Sequence, residues 1–444
     1  VKRSSVVFGL IGVTLLAACA EREVILPGKR EDIRAILANQ DTGQDSEAPL
    51  DAVSKPTALR LPAQSVNAEW THRIGSPKYR ASNPSLRATP ALVWSAEIGA
   101  GDGRRNRITA DPVISGGRIF TLDAEAKVTA TSTEGATLWQ SDLTPARDKS
   151  SEATGGGLAL GEGKLFVSSG FGRLTAMDPT TGAVLWTQNL DATGSGAPTV
   201  YGGVVYLVGG DDTAWALEAD TGRIRWQLTQ AGDISNVLGA AAPAVTDKFA
   251  LFAYGDGSVQ AAFRKGGLRV WATQVSGQRR FKSIAKVSDI TGDPVVDGNV
   301  VYVGSHSGRL VALNIDDGER IWTAREGAIS PVWPAGGAVF VLTDQNELVR
   351  LNASDGRRVW GTKLPNFVKY TPRKAAEVYA HYGPILAGGR LVVASNDGLL
   401  RFYDPASGAL LSTIEVPGGA TTAPIVAGGT LYVVGTRGQL HAFR

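Results

Sequence analysis

The stretch Ala197-Pro198-Thr199-Val200-Tyr201-Gly202-Gly203-Val204-Val205-Tyr206-Leu207-Val208, with the twenty residues after it, decides the architecture of this chain. A small residue and a proline open it, Thr199-Val200 starts an apolar run, and Gly202-Gly203 turns the chain into a second run, Val204 to Val208. A turn over Gly209 to Asp212 leads to a third run around Trp215 and Leu217. Asp220-Thr221-Gly222 then turns into a fourth, Ile224 to Leu228, centred on Trp226. Four apolar runs of strand length, separated by Gly and Asp positions that supply φ > 0, predict a four-stranded antiparallel meander.

The same grammar recurs along the chain. Tryptophans fall at Trp94, Trp139, Trp186, Trp226, Trp271, Trp322 and Trp360, with gaps of 45, 47, 40, 45, 51 and 38 residues. The other openers are Pro112, Gly157, Pro243, Pro294, Pro331, Pro384 and Pro424, which makes eight units. The last unit ends at Phe443, one strand short, whereas Pro90-Ala91-Leu92-Val93-Trp94 has no three strands before it. A solenoid leaves that strand unexplained. An all-β, eight-bladed β-propeller uses it: the N-terminal strand completes the last four-stranded blade and removes the exposed sheet edges. Each repeated Trp, able to bury ~150–250 Å², is expected to wedge one blade against the next.

Composition agrees with many short strands joined by tight turns. The chain has 444 residues, 54 glycines and a formal net charge of +3, a balance that argues against a dedicated nucleic-acid binder. Its single cysteine, Cys19, excludes an internal disulfide and any CxxC metal site. Lys2 and Arg3 precede the apolar run Val6 to Leu16, and Leu16-Ala17-Ala18-Cys19 closes it. The run is too short for a permanent membrane span, so residues 1–18 are expected to be removed after export. The closing string resembles a bacterial lipobox, which implies diacylation of Cys19, and Ala20 after it implies sorting to the outer membrane. Residues 19–88 lack the repeat and are expected to form a lipid-anchored extension: a short helix over 29–38, a polar linker over 41–56, and a part around Trp70 and Tyr79 that either packs loosely on the propeller of 89–444 or hangs between it and the membrane.

Catalytic constellations are poorly supplied. His72, His306, His381 and His441 fall in separate units with no metal-ligand spacing, and His306 in Ser305-His306-Ser307-Gly308 is expected to be a solvated turn residue. Asp211-Asp212 and Asp316-Asp317 belong to turns, where Asp bonds its own backbone. Gly155-Gly156-Gly157 leads into a strand and not a helix, so the helix-dipole half of a phosphate site is missing. Asp289-x-Thr291-x-Asp293 lacks the later glutamate of a calcium loop. Two longer links stand out. Residues 277–293 carry Arg279, Arg280, Lys282 and Lys286 beside Phe281, and residues 366–383 carry Phe367, Lys369, Tyr370, Arg373, Lys374, Tyr379 and Tyr382. Long loops on a rigid scaffold are where partners bind, and the Arg/Tyr composition suits an interface.

The blade grammar, as in Ala176-Met177-Asp178-Pro179-Thr180-Thr181-Gly182-Ala183-Val184-Leu185-Trp186, resembles the pyrroloquinoline-quinone (PQQ) dehydrogenase repeat. The lipobox followed by eight repeats resembles the BamB family, lipoprotein subunits of the outer-membrane β-barrel assembly (BAM) machinery. That resemblance implies a non-enzymatic scaffold, without cofactor, at the periplasmic face of the outer membrane. Its implied partners are the POTRA domains of BamA and unfolded outer-membrane proteins, with the chain a monomer in a hetero-oligomeric complex. Two neighbouring loops of the family contact BamA. They map here to Ser235-Asn236-Val237-Leu238-Gly239, where Leu238 replaces the family's arginine, and to Val287-Ser288-Asp289, where Thr291 replaces a second acidic residue. Arg279 and Arg280 just upstream could compensate. The rival reading is a periplasmic quinoprotein dehydrogenase, which the missing vicinal cysteine pair counts against.

Overall fold

The computed structural model describes residues 59–78, 83–192, 196–230, 240–275, 287–369 and 377–444. Cys19, the helix expected over 29–38, Val237, Leu238, Arg279 and Arg280 lie outside them.

Every repeat unit is one four-stranded antiparallel sheet, and there are eight such sheets. Blades 1 to 7 span residues 113–142, 156–189, 199–229, 244–274, 292–324, 333–363 and 381–415, each a simple meander from inner to outer strand. Blade 8 takes Ile425–Ala427, Thr430–Gly435 and Gln439–Phe443 from the C-terminal end and Leu92–Glu97 from the N-terminal side. The closing pair is antiparallel, with Trp94 opposite Ala442 and Glu97 opposite Gln439. Ala91 and Arg444 exchange two backbone hydrogen bonds of 2.9 Å just beyond it. Neighbouring blades share apolar clusters all round the ring.

The middle two strands of each blade are almost wholly buried, as in Val204–Val208 and Thr213–Glu218, while outer strands alternate between exposed and half-buried positions. That gradient follows from the sequence: continuous β-branched and apolar runs suit strands covered on both faces, and alternating runs suit a rim. Meander geometry sorts the loops into two faces. The turns joining first to second and third to fourth strands lie on one, here the turn face. The hairpins joining second to third strands, and the links from one blade to the next, lie on the other, here the link face.

The chain before the propeller differs from the loose packing expected. Trp70 is 1% exposed and stacks on Trp333 with ring centroids 6.3 Å apart. Its backbone pairs with the inner strand of blade 1, Trp70 N donating to Ile114 O (2.9 Å) and Ile114 N to Trp70 O (2.8 Å). Thr71 O accepts from Leu160 N of blade 2 (2.9 Å) and Asn67 O from Gly428 N of blade 8 (2.7 Å). His306, expected to be solvated, is 3% exposed, and its hairpin lies against the next link, whose Ala328 N donates to Ser305 O (3.2 Å).

Candidate partner-docking face

The link face carries the features not spent on building blades. Links 230–243, between blades 3 and 4, and 275–291, between blades 4 and 5, are neighbours by topology. Their described ends are tied together. Ala241, Val275 and Ile290 share one buried apolar cluster, and Ala242 N donates to the Asp293 carboxylate at 2.9 Å. Thr291 Oγ1 anchors the second link to Ala328 O at 2.9 Å. Of the residues singled out from sequence here, Asp289 is described, and it is only 5% exposed. A carboxylate so covered shapes its link from within more than it offers charge to solvent.

At the centre of this face the links surround a cavity of about 560 Å³, lined among others by Arg107, Thr109, His381, Tyr382 and Thr421. Its floor is Arg73, delivered up the ring axis by the segment that carries Trp70. Arg73 Nε donates to Asp111 Oδ2 (3.3 Å) and Nη1 to Asp293 Oδ1 (3.0 Å). Burial works against the charge on Arg73, but Asp293 and Asp111 outweigh it and hold its pKa above the usual value. Burial pushes the Asp111 carboxyl up, and the Arg73 charge and the Ala423 N–H pull against that push. Nothing in the sequence signalled Arg73 as an axial residue, since it stands in a stretch with no repeat.

Among the described residues, the lining of the axis does not fit a quinone cofactor with its calcium ion. A tricarboxylate needs open cations, yet both arginines lining the cavity already face aspartates, Arg107 lying 3.6 Å from Asp102. The two axial carboxylates are in turn taken by Arg73, and among the described residues no three His, Cys, Asp or Glu side chains gather to hold a metal ion.

The repeat ring has named relatives. A family model described as "Outer membrane protein assembly factor BamB" matches residues 124–362 and 369–444. The outer membrane protein assembly factor BamB of Moranella endobia is 22% identical over 360 residues, covering 80% of this chain and 90% of that protein. The crystal structure of BamB from Moraxella catarrhalis superposes with a TM-score of 0.66 at 20% identity, over 80% of this chain and all of the other. Quinohemoprotein alcohol dehydrogenase from Comamonas testosteroni has a TM-score of 0.64 at 16% identity, over 85% of this chain and 80% of the other, a likeness of fold.

Proposed function

This chain belongs to the BamB family of outer membrane protein assembly factors, and from that membership we propose that it is a non-enzymatic scaffold subunit of the BAM machinery. It works at the periplasmic side of the outer membrane, held there by lipid on Cys19, whose acyl chains contribute about 0.8 kcal/mol per buried CH₂. Links 230–243 and 275–291 together receive the POTRA domains of BamA, through Val237, Leu238, Arg279 and Arg280, with Asp289 shaping the second link. By holding those domains in place the subunit assists the folding and insertion of β-barrel clients. The observation that supports this reading is the shared root of the two links: Ala241, Val275 and Ile290 lie in one cluster and Ala242 is bonded to Asp293, so the described ends of the two links stand side by side. A rigid scaffold presenting adjacent loops is the arrangement that lowers the ordering cost of binding a partner.

The test is co-purification with the periplasmic domains of BamA. A variant combining Val237→Asp, Leu238→Asp, Arg279→Glu and Arg280→Glu is expected to lose association while melting as the parent does. Association at parental strength would move the docking surface elsewhere. Cys19→Ser is expected to shift the protein from the membrane to the soluble fraction. Adding PQQ with calcium is expected to give no stoichiometric uptake, and uptake with dye-linked alcohol oxidation would overturn the scaffold reading.

A further inference from the structure

The segment preceding the propeller touches every blade of the ring, which a passive tether has no reason to do. Blades 1, 2 and 8 are bonded to the backbone of Trp70, Thr71 and Asn67. Blade 3 gives its Val200 N–H to His72 Nε2 at 2.9 Å, and blade 4 its Asp247 carboxylate to Lys78 Nζ at 2.7 Å. Blade 5 holds Arg73 through Asp293. In blade 6, a Cβ on Gly336 would come within 2.5 Å of the Arg60 carbonyl oxygen, so the turn there has no room for a side chain. Blade 7 donates Gly388 N to Pro84 O (2.8 Å) and Gly389 N to Asn83 Oδ1 (3.1 Å).

Arg73 makes the most unusual of these contacts. Asp111 opens blade 1 and Asp293 lies in the first strand of blade 5, and in a ring of eight these blades stand opposite each other. Each carboxylate also accepts a backbone N–H from the end of the preceding link, Ala423 N at Asp111 (2.8 Å) and Ala242 N at Asp293 (2.9 Å). One guanidinium therefore joins the entries of blades 8 and 1 to those of blades 4 and 5 across the axis. Both carboxylate side chains are nine-tenths buried or more, with 9% and 1% exposure against 27% for Arg73, so salt screens the pairing much less than it would a surface pair. The family model begins at residue 124, so none of this segment is part of the matched repeat.

We infer that residues 59–78 and 83–88 form an intramolecular plug, a ligand carried by the chain itself, which fills the ring axis from the turn face and braces the ring across its diameter through Arg73. The plug leaves the link-face cavity as the open end of the axis. Its role stands apart from partner binding and is tested without it.

A site-specific protease sequence inserted between Ala88 and Thr89, in the full chain, allows the link to be cut after folding. The N-terminal fragment ending at Ala88 is then expected to remain with the propeller through gel filtration at micromolar concentration. Trp70→Ala with Arg73→Met in the same background is expected to weaken retention by roughly 30-fold or more, and to lower the melting temperature once the fragment leaves. A synthetic peptide of residues 59–88, added to the stripped propeller, is expected to restore the melting temperature, and the same peptide with both substitutions is not. Spontaneous loss of the unsubstituted fragment, or a stripped propeller that melts like the uncut protein, would overturn the plug.

Discussion

His72 shows how one buried side chain makes the whole ring sensitive to acid. Because Val200 N–H donates to Nε2 at 2.9 Å, that nitrogen carries no proton, so Nδ1–H is the donor to Thr71 Oγ1 at 2.9 Å. Burial pushes the imidazole pKa down to about 3, whereas in the unfolded chain it titrates near ~6.5. A depressed pKa means that the unfolded state takes up the proton first. The contribution is therefore complete above pH ~6.5 and is lost, at up to about 1.4 kcal/mol per pH unit, as pH falls toward the folded value. Burial lowers His381 and His441 in the same direction. His72→Gln, whose side-chain carbonyl can still accept from Val200, is expected to flatten the fall of the urea midpoint between pH 6.5 and 4.5. Parallel curves for the two proteins would show that His72 does not govern it.

The recurring element is a tryptophan on an outer strand set against a glycine of the next blade. Trp186 Nε1 donates to Ala219 O at 3.1 Å, its ring packs on Phe166 at 5.8 Å, and a Cβ on Gly222 would lie 2.7 Å from the indole. The same pairing joins Trp94 to Gly135, Trp139 to Gly182, Trp226 to Gly267, Trp271 to Gly318, Trp322 to Gly356 and Trp360 to Gly408. Blade 7 has Ser412 at the equivalent position, opposite Phe402 as Trp360 is opposite Arg350. The reason lies in blade 8. Its third and fourth strands come from opposite ends of the propeller, so the glycine turn that would receive an indole is replaced by Ala91 and Arg444. Trp186→Ala is expected to destabilise by about 3 kcal/mol, and Gly222→Ala, at φ 72° and against the indole, by about 2 kcal/mol. Ser412→Trp is expected to give no gain in chemical-denaturation stability. A rise of more than about 1 kcal/mol there would refute the link between missing turn and missing tryptophan. Each outer strand also carries a β-bulge at the residue before this position, Leu185 or Arg225 for example. The bulge leaves a short regular edge on every blade, which blunts edge-to-edge pairing.

At the scale of the molecule, ring closure rests on one strand. Gln439–Phe443 lies between Thr430–Gly435 and Leu92–Glu97, so removing it both opens the ring and exposes two sheet edges. A chain ending at residue 438 is expected to lose its cooperative thermal transition and to elute as aggregates. A sharp monomeric transition would mean that the plug alone can hold an open ring. The eight-bladed fold itself is legible from local chemistry: turn glycines and apolar runs of strand length are written within each unit, and the last unit's missing strand is matched by a spare one at the N-terminal side of the propeller. Of the two links proposed for docking, 275–291 stands out as a departure from the repeat, whereas 230–243 is marked only by the family resemblance.

Position along the chain determined the blades, because a meander of short strands is fixed by neighbours only a few residues apart. It also determined the tryptophan wedges, which repeat with the blades. Tertiary structure alone decided the inside of the axis. Trp70, His72 and Arg73 have no period, and their partners Ile114, Val200 and Asp293 lie 44, 128 and 220 residues away. Arg73 becomes a brace only when eight blades have closed around it, because the two carboxylates it joins belong to opposite sides of a ring that no short stretch of sequence contains.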